Sequence, residues 1–150
     1  MFHRRRVVRL PDDIYVIEDR VTGICREDHD IRLYYNFAFG HLDGENGKFD
    51  YTSQKGRGYT MTVQADKKLD FEILEGSEDP IGGWISYGYA WRKPIPQLIA
   101  KHSGKAPIHF ITVLAPEKTK AETAINGDAA MVTLAGGKVL TLTENAVELH

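Results

Sequence analysis

Residues 31–39 read IRLYYNFAF, and their alternation decides the fold class. Ile31, Leu33, Tyr35, Phe37 and Phe39 fall on one side of an extended chain, and Arg32, Tyr34, Asn36 and Ala38 on the other. A period of two marks a strand with one buried face, because successive side chains point to opposite faces. The same period recurs. Tyr59, Met61, Val63 and Ala65 alternate with Thr60, Thr62 and Gln64, and Leu69, Phe71 and Ile73 alternate with Asp70 and Glu72. Val132 and Leu134, then Leu140 and Leu142, repeat it near the end. Residues 108–114 differ. Ile108, Phe110, Thr112 and Leu114 face one way and His109, Ile111 and Val113 the other, so both faces look covered.

Turn chemistry separates these runs. Asn46-Gly47 suits a type I′ hairpin, whose two central residues both need positive φ. Gly136-Gly137 does the same for the last hairpin, and Ser103-Gly104-Lys105 and Asn126-Gly127 read as further tight turns. Short strands at regular spacing with turns between them predict an all-β, antiparallel two-sheet β-sandwich of roughly ten to twelve strands. Residues 117–124 carry helix formers but are few and follow Pro116, so they read as a loop or the approach to a strand. The glycine-rich stretch 76–83 reads as a loop. At the start, Val7, Val8 and Leu10 and then residues 14–17 fit two strands broken at Pro11-Asp12-Asp13.

A chain of 150 residues sets one domain as the expectation. Hydrophobic residues make up 42% and charged residues 27%, and the formal net charge is -2. That balance exerts no global pull on polyanions and argues against a dedicated nucleic-acid binder. The arginines at 4, 5, 6 and 9 are therefore a local feature. They belong to the exposed face of the first strand or, for Arg4 and Arg6, to an interface with another domain. Cys25 is the only cysteine, which excludes an intrachain disulfide and a cysteine-based zinc cluster. No apolar run approaches the roughly 18 residues of a membrane span. The basic start is followed by Pro11, Asp12 and Asp13, which is not the pattern of a secretory leader.

HRRRVVRLPDDIYVIEDRVTG (3–23) resembles a segment in the C-terminal β-sandwich region of heparinase II/III-like polysaccharide lyases. There a His/Arg-rich strand leads into a strand ending in an acidic residue, followed by a V-x-G turn; Asp19, Val21 and Gly23 stand at those positions. DHDIRLYYNFAF (28–39) is similar to the family's next strand. GWISYGYAWRKPIPQLIAKHSGKAPIHFITVLAP (83–116) matches most closely, with Trp84, Ser86, Tyr87-Gly88, Pro94, Pro96 and residues 112–116 in the family's order. The family commonly has a histidine where this chain has Asn36, so a role tied to that histidine does not carry over.

The resemblance implies a parent enzyme in which an N-terminal helical toroid supplies the catalytic machinery, including a Tyr and a His or Asn. Zinc ligands, where the family has them, lie largely upstream of the matched segment. Residues 1–150 are then expected to form one β-sandwich domain, the C-terminal part of a larger lyase. No catalytic residue and no cofactor is assigned to this chain. The expected partners are the toroid and an acidic polysaccharide, with no nucleic acid and no membrane, in the periplasm or outside the cell.

β-Elimination at a uronate needs a base and a group that stabilises charge derived from the carboxylate. Tyr35 and Tyr59 lie on apolar faces and read as core. His102 flanks a turn and reads as solvated, whereas His109 alternates with core residues and reads as a hydrogen-bonded buried histidine. His41 with Asp43, and His29 with Asp30, each bring two possible ligands together, but zinc needs three or four, so no metal is expected. The binding assignment goes to Trp84, Tyr87, Tyr89, Trp91, Arg92 and Lys93. Aromatic faces stack on sugar rings, and Arg or Lys pairs with uronate or sulfate groups. If this stretch is extended, Tyr87, Tyr89 and Trp91 share one side. Large aromatics more often fill cores or interfaces, so packing is the competing reading. The expected function is the non-catalytic β-domain of a lyase that eliminates across uronate linkages. The alternatives are a free-standing carbohydrate-binding module and a purely structural domain.

Overall fold

A computed structural model describes residues 1–24 and 27–150, so Cys25 lies outside the described residues. Those residues form no helix and 17 strands: β1 (Phe2–Leu10), β2 (Ile14–Thr22), β3 (His29–Asn36), β4 (Gly40–Glu45), β5 (Lys48–Ser53), β6 (Gly58–Ala65), β7 (Asp70–Glu75), β8 (Ser77–Glu78), β9 (Ile81–Gly82), β10 (Trp84–Gly88), β11 (Trp91–Pro94), β12 (Pro96–Gly104), β13 (Ile108–Pro116), β14 (Ala121–Asn126), β15 (Ala129–Leu134), β16 (Val139–Leu142) and β17 (Val147–Leu149). Every pairing is antiparallel.

The arrangement is richer than the expected two sheets of ten to twelve strands. The central sheet has six strands in the order β1-β2-β13-β6-β5-β4. A three-stranded sheet, β3-β12-β7, covers one face, and a four-stranded sheet, β14-β15-β16-β17, covers part of the other. Two small hairpins, β8-β9 and β10-β11, complete the set.

β13 explains why there are three layers. Ile108 and Phe110 enter one core with Leu33, Phe49, Val63 and Leu98. Ile111, Val113 and Ala115 enter a second core with Val16, Val132, Leu140 and Leu142. A strand with apolar residues at both parities must be covered on both sides. Removing each large aliphatic or aromatic side chain from water contributes about 1.5–3 kcal/mol. The second core stops at β6, where Thr60, Thr62 and Gln64 present a polar face.

Most strands match the alternation, but β3 ends at Asn36, before Phe37 and Phe39, Leu69 precedes β7, and Ile73 is exposed. β1 and β2 break at Pro11-Asp12-Asp13, with Asp12 and Asp13 at φ 62° and 55°. Asn46 and Gly47 sit at φ 53° and 81°, as a type I′ turn requires. Residues 121–126 are a strand, in keeping with the strand-approach reading. The stretch 76–83 departs from its loop reading and holds the β8-β9 hairpin. Gly83, at φ +70°, lets that hairpin press on β7, since a Cβ there would lie 2.6 Å from the Leu74 carbonyl oxygen.

Candidate functional site

Residues 84–93, to which the sequence reading assigned sugar binding, are not one extended run. They fold back at Tyr89-Ala90, with Ala90 at φ 57°, and make the β10-β11 hairpin, between β7 and β12 in sequence. The fold-back divides the six candidate residues. Tyr87 and Trp91 meet across the hairpin with ring centroids 5.4 Å apart, and the Lys93 ammonium lies 5.4 Å from the Trp91 ring. Tyr89 stands fully exposed at the turn, and Tyr87 is 72% exposed. Ser86 Oγ braces the tip, within hydrogen-bond reach of the Gly88 and Trp91 carbonyl oxygens at 2.9 and 2.7 Å.

Trp84 and Arg92 belong to a different group. Trp84 Nε1 donates to the Ser77 carbonyl oxygen at 2.9 Å, which seats the indole on the neighbouring hairpin. The Arg92 guanidinium lies 4.1 Å from the Trp84 ring and donates to Glu78 Oε1 at 2.6 Å. Arg92 therefore ties the two hairpins together. Tyr87, Tyr89, Trp91 and Lys93 remain as the outward surface.

At the other candidate position, the opening arginines meet two buried carboxylates: Asp19, named in the sequence only as the acidic residue ending a strand, and Glu18, which the sequence reading did not single out. Cross-strand register sets Arg6 opposite Glu18 and Arg5 opposite Asp19. Consecutive residues point to opposite faces, so the carboxylates serve opposite cores. Asp19 is fully buried; Arg5 clamps it through Nε at 2.7 Å and Nη2 at 3.0 Å, and His3 Nε2 lies 2.6 Å away. Glu18 is 1% exposed and accepts from Arg6 Nε at 2.5 Å, Arg20 Nε at 2.9 Å and His109 Nε2 at 2.8 Å. Burial by itself would raise the Glu18 carboxyl. The hydrogen bonds from His109, Arg6 and Arg20 outweigh it and hold the group well below the usual carboxylate range.

Arg6 also donates to the carbonyl oxygens of Thr143 and Ala146, so it holds the β16-β17 loop and points inward. Arg4 is exposed and lines a cleft of about 350 Å³ with Phe2, Arg20 and Asp128. The signal for this network was present: a His/Arg-rich strand at alternating positions, facing a strand with two adjacent acids inside an apolar run.

The remaining candidates take structural positions. Tyr35 Oη and Thr112 Oγ1 are 2.7 Å apart, and burial pushes the Tyr35 phenol up to about 12, against the opposing pull of the Thr112 bond. Asn36 Oδ1 accepts from Gln97 Nε2 at 2.6 Å. His109 is buried and bonded to Glu18, as its alternation indicated, while its Nδ1 has no partner among the described residues. His102 is not the solvated residue expected: it is half-buried, Nδ1 lies 3.0 Å from the Lys68 carbonyl oxygen, and Nε2 is covered. Among the described residues, no three His, Cys, Asp or Glu side chains converge as metal ligands.

Solved structures share this architecture. A heparinase III with methylated lysines superposes with a TM-score of 0.73 at 17% identity, covering 94% of this chain and 23% of that one. A heparan sulfate lyase HepC mutant from Pedobacter heparinus gives a TM-score of 0.70 at 14% identity, covering 99% and 24%. The chain has the fold of a heparinase III segment. This heparinase-like fold spans about 23% of the length of the chains it matches, and a further heparinase III structure repeats the match at a TM-score of 0.66. No family model and no curated protein matches the sequence. The likeness therefore lies in the heparinase-like architecture, at identities where only the fold carries across.

Proposed function

We propose that this chain is the non-catalytic β-domain of a larger polysaccharide lyase, bracing a helical toroid and presenting the β10-β11 hairpin to an acidic polysaccharide. One observation carries the reading. A heparinase III segment accounts for 94–99% of this chain, while the chain accounts for less than a quarter of each heparinase. A domain that makes up a minor part of such enzymes is expected to work beside the rest of them. In this reading residues 1–150 are one domain, with its two-sheet sandwich formed by the central sheet and β3-β12-β7. Arg4 lies toward the toroid, and no residue of this chain acts on the substrate bond.

The hairpin is the surface suited to glycan. Tyr87, Tyr89 and Trp91 are exposed, and their ring faces are available to stack on sugar rings. Lys93 adds a cation beside Trp91. That feature also supports a second reading, a free-standing carbohydrate-binding module. Retention on immobilised hyaluronan tests the surface. Tyr87→Ala with Trp91→Ala should abolish retention while leaving far-UV circular dichroism unchanged. Undiminished retention of that double variant would rule out the hairpin as the contact.

A further inference from the structure

A cleft of about 520 Å³ lies where the β1-β2 turn meets the third sheet. Its floor is apolar, formed by Leu10, Ile14 and Leu134 at the end of the second core. Its rim carries Lys118 and Lys120 from the β13-β14 connection and Lys138 from the β15-β16 turn. All three lysines are exposed, and among the described residues none of their ammonium groups has an ion-pair or hydrogen-bond partner. Asp12 is the carboxylate among the lining residues, and neighbouring Asp13 is engaged by Arg9 at 2.9 Å. On a chain of net charge -2, this is a local excess of unpaired cations around a recess.

We propose that this cleft is a second contact for an acidic glycan, taking a uronate-bearing ring with its carboxylate at the lysine rim. The inference rests on the reading that this protein meets an acidic polysaccharide. A pyranose uronate has an apolar C–H face and an anionic edge, which match an apolar floor and a cationic rim. Lysine is a compact point charge on a flexible stem. It accepts a carboxylate without the fixed fork geometry that arginine imposes, so it tolerates sugar rings in several orientations. A recessed floor also selects a narrow chain over a flat surface. The cleft belongs to the third-sheet layer, whereas the hairpin is a separate two-stranded unit that follows β7 and precedes β12 in sequence, two strands that pair in the opposite layer. The two contacts are therefore independent.

The test is titration of the full chain with a hyaluronan hexasaccharide, which carries carboxylates and no sulfate, followed by amide chemical shifts and calorimetry. Shifts should concentrate at residues 118–120 and 134–138. Each exposed ammonium–anion contact is worth up to about fivefold in affinity, so Lys118→Gln, Lys120→Gln and Lys138→Gln together should weaken binding about tenfold. Added salt should weaken it too, and Lys55→Gln on the β5-β6 turn should leave it unchanged. An unaltered affinity in the triple variant, or shifts absent from these turns, would overturn the cleft. So would inorganic sulfate displacing the sugar at equal concentration, or capture of anionic lipid vesicles without hexasaccharide binding. Loss of binding only with Tyr87→Ala and Trp91→Ala keeps the hairpin reading and sinks the cleft; loss only with the lysine variant does the reverse.

Discussion

Glu18→Gln preserves side-chain size and removes the charge on which the β1-β2-β13 network converges. The carboxylate is 1% exposed and accepts from Arg6, Arg20 and His109 at 2.5, 2.9 and 2.8 Å. The substitution leaves guanidinium groups that are 20% and 11% exposed facing a neutral amide with a single acceptor oxygen. Breaking a buried ion pair from one side costs about 3–5 kcal/mol. Arg6 keeps its bonds to the Thr143 and Ala146 carbonyls, so the lower end, about 3 kcal/mol, is expected. For a chain of this size that lowers Tm by roughly 6–12 °C. In urea the midpoint should fall with no change in slope. The pH dependence follows from the depressed folded-state pKa. The unfolded carboxyl protonates first as pH falls, so the stabilisation is complete above the usual carboxylate range. It is lost only as pH drops toward the folded-state value, and the gap between wild type and variant should narrow in acid alone. A variant within about 0.5 kcal/mol of wild type at pH 7, the range of ordinary surface substitutions, would refute this reasoning. A gap that does not change in acid would refute it too.

Tyr35→Phe should cost about 1 kcal/mol, the usual net worth of one hydrogen bond, measured by urea unfolding. The Tyr35 phenol ionises more readily in the unfolded chain, so wild-type stability should decline from about pH 10 toward pH 12, and Tyr35→Phe should lessen that decline. Phe110→Ala, at a fully buried site of the first core, should cost about 3–5 kcal/mol in the same assay. Arg92→Ala should loosen the hairpin by freeing Trp84, seen as faster hydrogen exchange at residues 84–94. Its effect on glycan retention should not depend on salt, because Arg92 is already paired with Glu78.

The all-β class was legible because strand alternation is local. IRLYYNFAF and TMTVQA carry their own burial pattern, and Asn46-Gly47 carries its own turn. The third layer was also written in residues 108–114, whose two apolar faces demand two covers; a two-sheet sandwich supplies one. Strand number was undercounted because β8, β9, β11 and β17 have two to four residues, too few to show a period. The fold-back of the hairpin was not legible because Tyr89-Ala90 lacks the usual turn residues, and Ala90 takes positive φ without being glycine or asparagine. Which arginine faces inward depends on register between strands, and that is set by tertiary pairing. Arg4 and Arg6 look alike in sequence. Only the partners Glu18, Thr143 and Ala146 commit Arg6 to the interior.

The central claim is that this chain contributes a surface and no chemistry to the cleavage of an acidic polysaccharide. Incubating the purified chain with heparan sulfate, hyaluronan and alginate, and following ultraviolet absorbance of the product double bond, tests it most directly. Without a toroid to hold base and substrate together, no effective concentration of reacting groups exists, and the account predicts a flat trace. A sustained rise that disappears on replacing a Tyr or His of this chain, such as Tyr35 or His109, would contradict it.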